Sequence, residues 1–320
     1  MKILFATDGS VNADNALQSI LENTWEAGTA CKVVTCAEQL KKRLNAVFLG
    51  IGDLAARAQT DLEKDLHDLL IESEGKLQTK FGKENVSSEF LSGNPKVEVV
   101  EAALKYGADL IIIGAHGSNV DETWSGSVTR SVVINAPCSV QVLNTQPSSS
   151  AEKKEEKRQA VVASRYLVAI SDETNADMII DSILKRAWPQ DTKFQILSIA
   201  PNSASSDHSR FFKSKNMEDL RKEALNARKG AADKLVKDAA SKLQSKFGAS
   251  QVTSHVLVGN PRSLILQVAQ DWPADMVIMG SHEQDHGILE HFLGSTAAAV
   301  TWNANCSVEL VKLAKVAARR

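Results

Sequence analysis

Long apolar runs are missing from this 320-residue chain. The opening stretch Met1-Lys2-Ile3-Leu4-Phe5-Ala6 meets Asp8 before it could form a secretory core or a spanning helix, so no membrane partner is expected. Aromatic residues are scarce at 5%, which argues against base-stacking platforms for nucleic acid. No excess of one charge is present either: the formal net charge of −2 gives no general pull toward nucleic acid or an anionic bilayer. The four cysteines, Cys31, Cys36, Cys138 and Cys306, form no Cys-x-x-Cys pair. They read as buried, reduced thiols rather than a disulfide framework or a zinc site, and the expected compartment is the cytoplasm. A Gly-x4-Gly-Lys-Ser/Thr segment is also lacking, so a P-loop nucleotidase is not supported.

What the chain does have is apolar material for a full core, at 43% hydrophobic and 24% charged, and a clear duplication. Leu77–Gly82 (LQTKFG) returns as Leu243–Gly248 (LQSKFG), Gly93-Asn94-Pro95 as Gly259-Asn260-Pro261, and Ala108-Asp109-Leu110 as Ala274-Asp275-Met276, each 166 residues on. Gly126-Ser127 and Gly294-Ser295 follow at 168, as do the segments around Cys138 and Cys306. Between the copies lies a serine-rich, densely charged stretch without apolar periodicity. It reads as a linker, dividing the chain into a first domain over 1–146, a linker over 147–160 and a second domain over 161–320.

Within each copy, short apolar runs alternate with helical periodicity. Ile3–Ala6, Lys32–Cys36, Val86–Leu91, Leu110–Ile113 and Ser139–Leu143 read as strands. Ala13, Ala16, Leu17, Ile20 and Leu21 recur at helical spacing, a long helix is expected from about Leu54 to Leu77, and a third should turn Val97, Val100 and Leu104 inward. The second copy offers strands near 166–170, 194–199, 252–257, 276–279 and 308–311. Such alternation predicts an α/β fold: two copies of a doubly wound, five-stranded parallel-sheet domain of Rossmann-like type.

Ligands of open parallel sheets bind past the carboxyl ends of the strands. Thr7-Asp8-Gly9-Ser10 follows the first strand, and Gly114-Ala115-His116-Gly117 follows the fourth, with Gly126-Ser127-Val128-Thr129-Arg130 opening a helix. Glycines let backbone approach a ligand, and a helix N-terminus offers amide donors to phosphate. Asp8 is placed to accept from a ribose hydroxyl or a base, or to hold Mg²⁺. On composition and spacing alone, phosphate binding and plain structural turns both stay open.

The order Ala6-Thr7-Asp8-Gly9-Ser10, Gly93-Asn94-Pro95, Gly114-x-x-Gly117, Gly126-Ser127 and Ala136-Pro137-Cys138 resembles the universal stress protein family, over nearly all of both halves. The resemblance implies an adenine nucleotide alpha hydrolase-like fold and a site for ATP or a related adenine nucleotide with Mg²⁺. It places Ala6, Thr7 and Asp8 at the adenosine, backbone near Cys36 beside the adenine, Gly114, His116 and Gly117 at the ribose and phosphates, and Gly126, Ser127, Val128 and Thr129 around the phosphates. Eight residues separate Gly117 from Gly126, where the family pattern has nine. The resemblance also implies pairing of the final strands, so an internal pseudo-dimer of the two halves and a homodimer are both expectations.

The second copy departs further. Its candidates are Asp172, Gly280, His282, Gly294 and Ser295, but Glu283 replaces the second loop glycine, and a carboxylate repels phosphate. The first copy is therefore expected to be the better nucleotide site. His282, His286 and His291 gather three of seven histidines beside acidic residues, which leaves open a metal such as Zn²⁺ or a solvated polar loop. His116 has no paired serine or cysteine nucleophile, and neither a base nor a cation is evident at a leaving phosphate. A sensor or regulatory module is the leading expectation; a slow ATP-hydrolysing enzyme and a nucleotide-free or metal-binding scaffold are the alternatives.

Overall fold

A computed structural model of the chain describes residues 1–37, 47, 52–115, 126–144, 164–202, 215–281 and 293–312. Two compact units result, one centred on Met1–Val162 and the other on Ala163–Glu283 with Gly294–Val311. The linker expected over 147–160 lies outside the described residues.

The first unit runs β1 (Lys2–Ala6), α1 (Val11–Glu22), β2 (Ala30–Cys36), α2 (Gly52–Phe81), β3 (Val86–Leu91), α3 (Pro95–Tyr106), β4 (Leu110–Gly114), α4 (Ser127–Asn135) and β5 (Ser139–Leu143). Its strands are parallel, in the order β3-β2-β1-β4-β5. The second unit repeats the plan with β6 (Arg165–Ala169), α5 (Glu173–Leu184), β7 (Lys193–Pro201), α6 (Lys215–Phe247), β8 (Val252–Gly259), α7 (Pro261–Asp271), β9 (Met276–Gly280), α8 (Ser295–Asn303) and β10 (Ser307–Val311). Its parallel order is β8-β7-β6-β9-β10. Each unit is thus the doubly wound α/β sheet that the alternation predicts.

Central strands are apolar throughout because helices cover both faces. Phe5, fully buried, stands in register between Val33 of β2 and Ile112 of β4. Burying such a side chain contributes about 1.5–3 kcal/mol. The motifs shared by the two copies prove to be scaffold devices. Asn94 and Asn260 cap α3 and α7, accepting from Lys96 N and Arg262 N, and Pro95 and Pro261 open those helices where no amide is needed. Asp109 accepts from Lys2 N at 2.7 Å, and Asp275 accepts from Ser164 N and Arg165 N at 3.1 and 3.0 Å, each anchoring the start of its unit's first strand. Trp25 and Trp188, 163 residues apart, donate indole N–H groups to the carbonyls of Ile20 and Ile183, both at 2.7 Å.

One expectation is corrected. The buried face of α3 is Val99, Ala102 and Ala103, while Val97 and Leu104 are 47% and 53% exposed. This helix is apolar on two sides, and periodicity cannot choose between them. The cap at Asn94 sets the helix phase, and two adjacent alanines let the backbone approach the sheet closely.

Candidate functional site

In the first unit the chain leaves β1 toward β2 on one side and later reaches β4 on the other. The switch point therefore lies between the carboxyl ends of β1 and β4, where Ala6 pairs with Ile113. Past β1, the buried Thr7 donates its amide to Val34 O at 2.9 Å, and its Oγ1 accepts from Gly9 N at 3.3 Å. Asp8 Oδ1 accepts from Ser10 N at 3.1 Å, a turn that leaves Oδ2 outside it. Ser10 then caps α1 by accepting from Ala13 N. These bonds hold Asp8 half-exposed at the lip of the sheet.

Gly114, the last residue of β4, faces the start of α1. A Cβ there would stand 3.0 Å from the Asn12 carbonyl carbon and Cβ, and 3.2 Å from Ala13 N. A side chain at Gly114 would therefore press on the backbone at the start of α1, which yields less readily than a side chain. Thr129, buried in α4, donates its hydroxyl to Gly114 O at 2.9 Å. Its side chain ties helix to strand, leaving its backbone as the group to face a ligand. Ala115 N donates to Leu143 O, and Gly126 N to Ala115 O, both at 2.9 Å. Gly126 accordingly serves the turn with its own amide. It is also the N-cap of α4 and supplies no side-chain acceptor, so the amides of Ser127, Val128 and Thr129 open a nine-residue helix without a side-chain cap. Four other helices, α1, α3, α5 and α7, have one. Cys36 closes β2 with its thiol donating to Gly93 O at 3.1 Å.

The acidic lip is electrostatically loaded. Partial burial, followed by repulsion from Glu72 and Asp8, raises the Asp14 carboxyl above its ordinary range, with Lys76 opposing. His116 and Gly117 lie outside the described residues.

The second unit differs at the same place. Three residues separate β1 from the cap Ser10, but only two separate β6 from the cap Asp172. Asp172 accepts from Asn175 N at 2.9 Å and from Ser171 Oγ at 2.6 Å, so it takes the position of Ser10, not of Asp8. The two strand ends nevertheless align without a gap at an offset of 163, Asn12-Ala13-Asp14 with Asn175-Ala176-Asp177, so the cap alone moves by one residue. Gly280 closes β9, but the atom nearest a Cβ built there is Asn175 Nδ2, at 1.9 Å, with Met178 Cε at 3.4 Å. Neither residue was singled out from sequence. Gly294 N donates to Ser281 O at 2.9 Å, and Gly294 precedes Ser295 as the uncapping start of α8, matching Gly126 and Ser127. His282, Glu283, His286 and His291 lie outside the described residues. Among the described residues, no group of three or more His, Cys, Asp or Glu side chains is placed to hold a metal, and no helix is long and apolar enough to cross a membrane.

A duplicated, doubly wound parallel sheet with a glycine closing the strand at each switch point defines a class of α/β proteins. The sequence matches the universal stress protein family over residues 1–144 and again over 163–312, and the chain belongs to that family. It is 38% identical to universal stress protein A homolog 2 of Coxiella burnetii over 73 residues, which are 23% of this chain and about half, 49%, of that protein's length. It is 31% identical to universal stress protein MJ0577 of Methanocaldococcus jannaschii over 142 residues, covering 41% of this chain and 87% of that one. In fold it is similar to a universal stress protein from Archaeoglobus fulgidus, with a TM-score of 0.55 at 18% identity over 98% of this chain and 97% of the other.

Proposed function

We propose that the first unit binds ATP or a related adenine nucleotide with Mg²⁺, and that the chain serves as a cytoplasmic sensor or regulatory module in a stress response. The observation that carries this reading is the start of α4: three amides without a side-chain cap, on a helix that Thr129 ties to the carboxyl end of β4. A helix N-terminus of this kind favours phosphate oxygens through its donors and its partial positive charge. Asp8 stands across the same switch point as acceptor for the sugar or the metal. The second unit lacks the counterpart of Asp8 and is not the nucleotide site.

Equilibrium binding of Mg–ATP to the wild type and to Gly114→Glu tests the proposal. Wild type should bind, and the variant should lose at least about 100-fold in affinity, equivalent to about 2.7 kcal/mol, because an acidic side chain is driven against α1 and the phosphate path. Equal affinity of the two proteins, or no binding to wild type, refutes it.

A further inference from the structure

Helix α4 does not end by its own means. Its last turn carries no basic residue, and its C-cap is Ala136 rather than a left-handed glycine such as Gly107 at the end of α3. The last four carbonyls of a helix have no partner within it. Here Ala136 N donates to Val132 O at 2.8 Å, and the ammonium of Lys312 serves three more carbonyls. Its Nζ lies 2.9 Å from Val133 O, 3.1 Å from Ala136 O and 3.5 Å from Ile134 O. Lys312 stands 179 residues from Val133 along the chain. It follows β10 directly, yet is part of the first unit, where its own amide donates to Ser139 Oγ at 3.1 Å. The half-buried side chain thus reaches α4 from a backbone that is held independently. At the offset of 168 the matching residue of the first copy is Asn144, which carries no charge.

Three ties hold this short helix. Thr129 fastens its first turn to Gly114 O, Ser131 Oγ donates to Lys96 O at 3.1 Å in its middle, and Lys312 grips its last turn. Its nine residues make about two and a half turns, too few for a helix to persist in water without such support. Slack at one end therefore reaches the other. A cation at the C-terminus also favours the helix by meeting the negative end of its dipole. We propose that Lys312 is a positioning residue for the amides of Ser127, Val128 and Thr129, so that the residue following the last strand of the second copy completes the phosphate site of the first. The positioning role rests on the nucleotide reading of the first unit; the grip of Lys312 on α4 does not.

The test compares the full-length wild type with Lys312→Met, which keeps an aliphatic stem and loses the charge, and with Lys312→Arg, which keeps the charge. The backbone bond to Ser139 survives in both. Without ligand, amide hydrogen exchange over 131–136 should be at least about 5-fold faster in Lys312→Met, unchanged over 165–169, and near wild type in Lys312→Arg. In calorimetric titration with Mg–ATP the methionine variant should bind about 5- to 10-fold more weakly than wild type, and the arginine variant within about 2-fold of it. Unaltered exchange in Lys312→Met, or exchange that rises equally in the second unit, overturns the grip on α4. Faster exchange at α4 with unchanged affinity for Mg–ATP overturns the positioning role, as does an arginine variant as weak as the methionine one. If the wild type binds no Mg–ATP, the nucleotide reading falls and the positioning role with it, and exchange alone decides the grip.

Discussion

Glu309 is the middle residue of β10 and is buried to 1% exposure, yet it is charged. Arg186 grips it with two bonds, Nη1 to Oε2 at 2.9 Å and Nη2 to Oε1 at 2.6 Å. Ser182 receives Nε through its carbonyl oxygen at 3.1 Å, and the guanidinium lies 4.9 Å from the Trp188 ring. The first unit has Gln141 at the matching position of β5, also buried. Glu309→Gln therefore keeps shape and volume, and removes one charge from a pair whose side chains are 13% and 2% exposed. Removing one partner of a buried pair costs about 3–5 kcal/mol, since the other charge remains without compensation. Glutamine can still accept one bond and Ser182 still serves the guanidinium, which places the loss at the lower end, about 3 kcal/mol. For a unit of this size that corresponds to a fall in Tm of about 6–12 °C. Urea and thermal unfolding, with hydrogen exchange over 165–199 and 307–311 to assign the loss to the second unit, provide the measurement. A cost under about 1 kcal/mol, the value typical of solvent-exposed pairs, would refute the reasoning. The paired replacement Arg186→Met/Glu309→Leu should recover most of the stability, because no charge is then stranded.

Burial pushes the thiols of Cys31 and Cys138 up to about 12 and that of Cys306 to about 11. These three should resist alkylation by iodoacetamide in native buffer at pH 8 and react once urea unfolds the chain; labelling of all three in the native state would contradict their placement. Asp14→Asn should stabilise the first unit at neutral pH. A carboxyl whose folded pKa lies above its unfolded value is a stability cost above that pKa, relieved as pH falls through it, so the advantage of the variant should shrink on acidification. A gain that stays constant down to pH 3 would show that charge is not the cause.

Much of the fold was legible because it was written twice. Gly-Asn-Pro and Ala-Asp recur at one offset, and in both copies they perform the same structural task, capping a helix or anchoring a strand. Repetition does not mark scaffold alone, since Gly126-Ser127 and Gly294-Ser295 recur as well and open helices without a side-chain cap. The face of α3 was not legible, since Val97, Val100 and Leu104 satisfy helical spacing as well as the residues that are buried, and side-chain size decided the matter. At the sites, residue type drew attention to Gly114 and Gly126, yet it could not tell which amides a turn had already engaged. Asp172 misled for a different reason: at the offset of 163 it aligns with Gly9, and a helix that starts one residue earlier takes its carboxylate as the cap. Asn175 belongs to a further repeat, since Asn12-Ala13-Asp14 returns as Asn175-Ala176-Asp177, and each asparagine lies against the glycine that ends its unit's fourth strand.

Two identical polypeptides that assemble must carry every substitution in both halves, so an alteration that shuts one binding pocket shuts its twin. A chain holding Gln141 in one repeat and Glu309 in the other is released from that symmetry. Covalent doubling lets each repeat fill its last strand in its own way, one with a neutral amide and the other with a carboxylate that Arg186 holds.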